Sequence, residues 1–301
     1  MIMLKKLVLA PVFLIVFAFL ASQLAPFFKS YDIIFSLSSN SLTQLITLAF
    51  LILISGLIFN LFVTFAQNWK MVLPVGLVAS ILPILFLTPF LGLVFGLGVL
   101  ISLFLTHLTL TNKLKTYLTF NPNSLISPSI KHLTGLLILV FSFTYFLSIN
   151  QIIQKNGFAI PDSLIDTALK FTPIESSLPQ ETSQFSIPPE QLELLKQNPD
   201  LLKQSGLDPK ILDTLNSPKT QNTPNEFIKQ TIKDQMQNLI KPYLNFIPAI
   251  LALLLFISLQ SITSVINLLI HPILWIIFYI LEKSGFIRFE VEQRPVKKMV
   301  I

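Results

Sequence analysis

The sequence predicts an all-α protein: a polytopic membrane bundle of six or seven spans that carries one extracytoplasmic helical insert. Of its 301 residues 52% are hydrophobic and 12% are charged, whereas about 25% of the residues of a soluble domain are charged. Acidic residues are also unevenly distributed along the chain. Asp32 is the only carboxylate in residues 1–149, whereas residues 150–242 hold eleven of the fifteen. This pattern excludes a soluble domain.

Five apolar runs are long enough to cross a membrane once each. A spanning helix needs about 20 apolar residues, because every backbone amide in hydrocarbon must be hydrogen-bonded within its own helix. The runs are residues 7–25, 42–66, 71–88, 90–110 and 133–149. The first follows Lys5 and Lys6 and lacks a convincing cleavage triplet, so we expect an uncleaved anchor rather than a signal peptide.

Glycines and prolines interrupt the third and fourth runs. Thr88-Pro89 predicts the turn between them. Gly92 and Gly96 form a small-xxx-small pair, which lets another helix approach closely where lipid gives no hydrophobic drive for association. We predict a packing face here; the alternative is a pair of glycines that the helix merely tolerates.

The last apolar stretch, within residues 243–282, is too long for one straight span. Its 39 residues from Tyr243 to Leu281 would extend about 58 Å as a helix. It is either a kinked single span or a hairpin, and the charged tail 283–301 follows it. Lys and Arg in the short flanks favour one crossing, because they then divide 11 inside to 1 outside, whereas a hairpin divides them 6 to 6.

This charge balance predicts a cytoplasmic N-terminus and places residues 150–242 outside the cytoplasm. The cation composition, 19 Lys against two Arg, is typical of an AT-rich, bacterial genome. We therefore expect a multi-pass protein of the plasma (inner) membrane, with the lipid bilayer as its first partner. The basic residues sit in short clusters beside apolar runs, which argues against nucleic acid binding.

The insert contains short capped helices between two linkers. Asn198-Pro199 and Asp208-Pro209 each place a cap before a proline at the first helical turn. Helices of two turns are marginal in water, so they must pack on one another, on the membrane or on a partner. A longer amphipathic helix begins at Thr223-Pro224 and continues to about Lys241, where Pro242 should bend it. The candidate partner-binding face consists of Leu195, Leu202, Ile211, Leu215, Ile228 and Ile232.

No motif for catalysis is present in the chain. The five runs contain no Asp, Glu, Lys or Arg, although an ion-coupled transporter or intramembrane enzyme normally needs such groups. Nucleotide-binding and hydrolase signatures are missing, and His107, His132 and His271 match no metal-ligand spacing. We therefore expect no catalytic residue, metal or cofactor.

The predicted function is a non-enzymatic scaffold or interaction protein of the cell envelope, which presents the insert to an envelope protein partner. The alternative is a transporter or channel subunit for a neutral or apolar solute, with Pro74, Pro83 and Pro89 breaking helices around a path. A membrane enzyme is a third possibility, and it would require the histidines or the insert carboxylates to converge in one cleft.

Overall fold

The structure is a computed structural model that describes residues 8–35, 38–117, 120–162, 164–165, 233 and 235–287. These residues are 87% helical and contain no β-strand, which confirms the all-α class for this part of the chain. Most of the insert, and with it the short helices predicted from the Asn-Pro and Asp-Pro caps, lies outside the described residues.

The first seven described α-helices follow one another with short connections, and the insert separates the seventh from the eighth. They are α1 (Leu9–Leu24), α2 (Asp32–Phe35), α3 (Ser39–Ala66), α4 (Trp69–Ile81), α5 (Pro89–Thr116), α6 (Pro122–Leu125), α7 (Ser127–Asn156), α8 (Ile247–Ile266) and α9 (Ile270–Lys283). Three 3₁₀-helices stand between them: Leu82–Leu85, Lys241–Phe246 and Asn267–Leu269.

Four helical segments are long and apolar enough to cross a membrane. They are Ser39–Ala66, Pro89–Thr116, Pro122–Asn156 and Gln235–Lys283. Two more apolar helices, Leu9–Leu24 and Trp69–Leu85, have 16 and 17 residues. Large apolar side chains cover the outside of the bundle; Ile15, for example, is 69% exposed and Leu97 is 53% exposed. An outer surface of this kind requires hydrocarbon rather than water around it.

Helix boundaries follow from side-chain caps and proline. The side chains of Ser38 and Asn68 accept hydrogen bonds from backbone N–H groups at the starts of α3 and α4. Pro89 is the first residue of α5 after Thr88, where its missing N–H removes no helical bond. Gln67 ends α3 in the left-handed conformation, with φ of 48°, and its N–H bonds the Val63 carbonyl.

Glycine determines how closely α5 approaches its neighbours. A Cβ at Gly92 would lie 2.7 Å from the Cα of Ile84, and one at Gly96 would overlap the Ser80 carbonyl oxygen. Both neighbours belong to the antiparallel segment of α4 and its 3₁₀ extension. A few residues later, a Cβ at Gly98 would overlap the Val140 side chain of α7. The close approach on both sides puts α5 between α4 and α7.

The bundle has two ends with different charge. Rings of Phe65, Phe120 and Phe278 pack together and join the end of α3, the segment before α6, and α9. We call this the lysine-rich end. Its described charged residues are Lys70, Lys113, Lys115, Lys131, Glu282 and Lys283.

The opposite end holds the turn after α1 and the end of α7, because the Ser148 hydroxyl donates a hydrogen bond to the Phe28 carbonyl at 2.6 Å. We call this the insert end, since the chain leaves the bundle for the insert there.

The last apolar stretch is one continuous helical segment from Gln235 to Lys283. At Pro242 the α-helix changes to 3₁₀ over Lys241–Phe246, because proline removes a hydrogen-bond donor. A second 3₁₀ turn at Asn267–Leu269 joins α8 to α9 without a reversing loop, and Pro272 stands in the first turn of α9. α9 continues onto α6 and the beginning of α7 rather than folding back on α8.

Replacement of Gly96 by alanine tests this helix packing. The added Cβ has to displace the backbone of Ser80, so we expect Gly96→Ala to lower the free energy of unfolding by about 1–3 kcal/mol, as overpacking does elsewhere. Titration with SDS in mixed micelles, followed by far-UV circular dichroism, measures the change. Gly135→Ala is the matched control, because nothing lies within 4 Å of a Cβ there; it should leave stability unchanged or raise it by up to about 1 kcal/mol. Equal losses in both variants would contradict the packing role.

Candidate interaction site at the base of the insert

The sequence-predicted site residues fall into two groups. Gly92 and Gly96 lie on the face of α5 that contacts the end of α4. The residues of the candidate partner-binding face, Leu195, Leu202, Ile211, Leu215, Ile228 and Ile232, lie outside the described residues. What the structure does describe is the place where the insert leaves the bundle and returns to it.

The outgoing chain turns at Gly157 and docks on the segment after α1. Gly157 ends α7 with φ of 76°, a conformation that glycine adopts without strain. Two residues later, the Tyr31 hydroxyl donates a hydrogen bond to the Ala159 carbonyl at 2.9 Å and accepts one from the Ala159 N–H at 3.2 Å. The ring of Phe158 packs on the ring of Tyr31, with centroids 5.3 Å apart. One tyrosine therefore holds both the backbone and a side chain of the outgoing chain.

The returning chain contacts the outgoing chain directly. The Gln237 side-chain amide donates a hydrogen bond to the Phe158 carbonyl at 3.0 Å, and Lys233 Nζ lies 2.8 Å from Asp162 Oδ1. Asp162 and Lys233 are 71 residues apart in sequence. The two ends of the insert thus meet at one place, which we call the insert base: residues 157–162, 164–165, 233 and 235–240.

Apolar burial contributes more to the insert base than its polar contacts. Phe158, Ile160 and Ile165 are 6%, 3% and 0% exposed and belong to the main core. Complete burial of such a side chain stabilises a protein by about 1.5–3 kcal/mol. The Lys233–Asp162 pair is much weaker, because the side chains keep 32% and 62% of their exposure and water screens them. The ion pair therefore orients the two chain segments, and the apolar residues hold them.

The turn after α1, which leads to Tyr31, is itself attached to α7. Phe27 and Phe28 both place their rings edge-on to Phe141 of α7, at 5.8 and 5.3 Å. Together with the Ser148 hydrogen bond to the Phe28 carbonyl, these contacts attach the turn after α1 to α7. Tyr31 follows this turn by three residues, so the platform for the insert is part of the bundle.

Inside the bundle, six buried polar side chains bond their own helices. The side chains of Asn60, Thr64, Ser102, Thr106, Thr134 and Thr144 donate to the backbone carbonyl four residues earlier. This pattern is typical of helices in hydrocarbon, where a free hydroxyl or amide is costly. These donors are therefore engaged by backbone within their own helices.

The three histidines lie on three different helices. His107 is buried on α5, whereas His132 of α7 and His271 of α9 are exposed. In the part of the chain that the structure describes, no three His, Asp or Glu residues are close enough together to hold a metal ion.

Sequence reasoning missed Tyr31, Phe158 and Gln237 as parts of this site. Tyr31 and Ala159 are 128 residues apart, and no local pattern connects them. A signal was available, however: Tyr31 is a polar aromatic residue six positions after the end of an apolar run, and Gly157 marks the end of a long helix.

Comparisons of the chain with known protein families, with curated proteins and with solved structures give no match. The functional reading therefore depends on the geometry of the bundle and of the insert base.

Removal of the Tyr31 hydroxyl tests the insert base. Tyr31→Phe deletes both hydrogen bonds to Ala159 and keeps the ring contact with Phe158. We expect about 1 kcal/mol less local stability, seen as roughly fivefold faster hydrogen exchange of the Ala159 amide. Mass spectrometry of the protein in detergent measures this exchange. Tyr243→Phe is the control because Tyr243 is 62% exposed. Unchanged exchange in Tyr31→Phe would show that Tyr31 does not hold the outgoing chain.

Proposed function

We propose that the protein is a non-enzymatic scaffold or interaction protein of the cell envelope, whose membrane bundle presents residues 150–242 to a protein partner outside the cytoplasm. The observation that carries this proposal is the insert base. The bundle holds the outgoing and returning segments of the insert beside one another, through Tyr31–Ala159 and Gln237–Phe158. A long polar segment whose two ends are both held on the bundle can be presented to a partner from one place.

The distribution of charge supports an orientation with the insert outside. The described lysines at the lysine-rich end are Lys70, Lys113, Lys115, Lys131 and Lys283, beside a single described carboxylate, Glu282. At the insert end the described lysines are Lys29, Lys155, Lys233 and Lys241. Only Lys29 lies in a short flank, and the other three border the long insert, whose charge contributes little to orientation. Cytoplasmic flanks carry the excess of Lys and Arg, so the lysine-rich end is proposed to face the cytoplasm.

Six crossings agree with the order of the helices: α1, α3, α4, α5, α7, and α8 with α9. Leu9–Leu24 and Trp69–Leu85, with 16 and 17 described residues, are close in length to the roughly 20 residues of a spanning helix.

The self-bonded polar residues inside the spans support a role without chemistry. Catalysis or ion coupling requires groups that are free to exchange protons or ligands, whereas the donors on Asn60, Thr64 and Thr106 are occupied by backbone carbonyls. The buried side chains of greatest volume include Phe13, Phe59 and Tyr145, which fill the interior.

A transporter or channel subunit remains the second candidate, on the ground that α4 is broken. Pro74 lies inside α4, and its helix changes to 3₁₀ at Leu82–Leu85. Transport would require polar groups at such a break, yet Ile84, Leu85 and Phe86 line it and are 39%, 73% and 40% exposed. Uptake of a neutral solute by vesicles that contain the purified protein would favour transport over the scaffold.

Labelling of single cysteines tests the proposed orientation, since the natural chain has no cysteine. We expect an impermeant maleimide to label Lys29→Cys and Lys155→Cys on intact spheroplasts, because both positions lie at the insert end. Lys113→Cys and Lys283→Cys, at the lysine-rich end, should react only after the membrane is permeabilised. Labelling in the reverse pattern would overturn the orientation.

Photo-crosslinking in living cells tests the presentation of the insert. We expect benzoylphenylalanine at position 195 or 202 to give a discrete heavier adduct with one envelope protein, identified by mass spectrometry. The same residue at position 139 or 143 is the control, because Leu139 and Phe143 are both 54% exposed on the apolar surface and should contact lipid alone. Adducts from the control positions only, or none from the insert, would contradict the scaffold function.

A further inference from the structure

A groove of about 340 Å³ opens at the lysine-rich end, between the beginning of α4 and the last three turns of α5. It lies far from the insert base, and the proposed function does not use it. Its lining includes Trp69 of α4 and Phe104, His107, Thr111 and Lys115 of α5.

Polarity changes along the length of this groove. At one end lie Trp69, Phe104 and Leu108, whose side chains are 39%, 41% and 42% exposed, and the rings of Trp69 and Phe104 pack edge to face at 5.0 Å. At the other end lie Asn112 and Lys115. From residue 104 to residue 115 the helix rises about 16 Å. Within that length the groove passes from an apolar wall to a cation, as a phospholipid does from its acyl chains to its phosphate.

Two polar atoms in the middle of the groove have no hydrogen-bond partner. His107 is only 4% exposed, its ring lies 5.1 Å from that of Trp69, and its Nδ1 is unpartnered among the described residues. The Thr111 hydroxyl, one turn along the same helix, is buried and unpartnered there too. A buried polar atom without a partner is unfavourable. Because both of these residues line the groove, it is suited to a ligand with hydrogen-bonding groups.

The charge around the groove selects an anion. Within the described residues Lys115 forms no ion pair, and Lys70 and Lys113 lie on the same two helices. Glu282 is the only described carboxylate at this end of the bundle. The site therefore combines a free ammonium group, two unpartnered polar atoms and an indole at an interfacial depth.

We propose that this groove binds one anionic phospholipid. Its phosphate is held near Lys115 and Asn112, and its glycerol and upper acyl chains lie along Trp69, Phe104 and Leu108. Free phosphate would use Lys115 but would gain nothing from the apolar end. The length of the apolar wall is therefore the reason to assign the site to a lipid headgroup rather than to a soluble anion.

Quenching of Trp69 fluorescence by brominated lipids tests the proposal. The chain has two tryptophans, and Trp275 is 63% exposed and outside the groove. Trp275→Phe therefore leaves Trp69 as the only indole in the full-length protein. In phosphatidylcholine vesicles we expect dibrominated phosphatidylglycerol to quench Trp69 at about one fifth of the concentration that dibrominated phosphatidylcholine needs. This fivefold difference in affinity is what one well-placed lysine contributes to the binding of an anionic lipid.

Three variants and one competitor separate a built site from general attraction of charge. Lys115→Gln should bring the two lipids to within twofold of each other, whereas Lys113→Gln, the matched control outside the groove, should keep the fivefold preference. Thr111→Phe fills the groove with the charge intact and should also abolish the preference. Circular dichroism confirms that each variant is folded. Inorganic phosphate at about 10-fold excess over brominated lipid should not reverse the quenching.

Several results would overturn the proposal. Equal quenching by both lipids in the Trp275→Phe protein would remove headgroup selection. Equal losses in Lys113→Gln and Lys115→Gln would show diffuse attraction to the surface rather than a site, and so would an unchanged preference in Thr111→Phe. Reversal of the quenching by inorganic phosphate would assign the site to a free anion.

Discussion

The interior of a bilayer supplies no water, so the backbone polar groups in the apolar part of this chain must be satisfied by the protein itself, and the architecture depends on this constraint. The backbone meets it by forming helices almost throughout the described residues. Several buried hydroxyl and amide donors bond the carbonyl one turn earlier, as Thr64 and Thr106 do. Because these bonds lie within single helices, contacts between helices depend largely on shape.

Glycine contributes to the association of these helices because it lets their backbones approach closely. Lipid chains are as apolar as leucine, so helices gain by approaching closely rather than by leaving the solvent. On α5, Gly92 and Gly96 admit the end of α4 on one side, and Gly98 admits Val140 of α7 on another. α7 is also the helix that leads into the insert. Packing in the middle of the bundle thus fixes the helix on which the insert base is built.

Features that depend on neighbouring residues alone could be predicted from the sequence. Thr88-Pro89 begins α5 as predicted, and the helix changes its form at Pro242. Helix ends were less predictable from apolar runs, because polar residues continue a helix beyond the hydrocarbon: α7 includes Gln151 and Lys155 and ends at Asn156. The insert base and the groove could not be predicted. Tyr31 contacts Ala159, 128 residues away in sequence, and His107 contacts Trp69 of the preceding helix. Both contacts result from packing rather than from any periodic pattern.

The polar end of α7 determines how far the insert base lies from the apolar part of the bundle. Seven residues separate the apolar run that ends at Ile149 from the turn at Gly157, and as helix they rise about 10 Å. The headgroup layer on each side of a bilayer is about 5–8 Å thick. With the edge of the hydrocarbon at Ile149, the end of α7 would lie just clear of the headgroups, so a second protein bound there would contact this chain in water rather than in lipid.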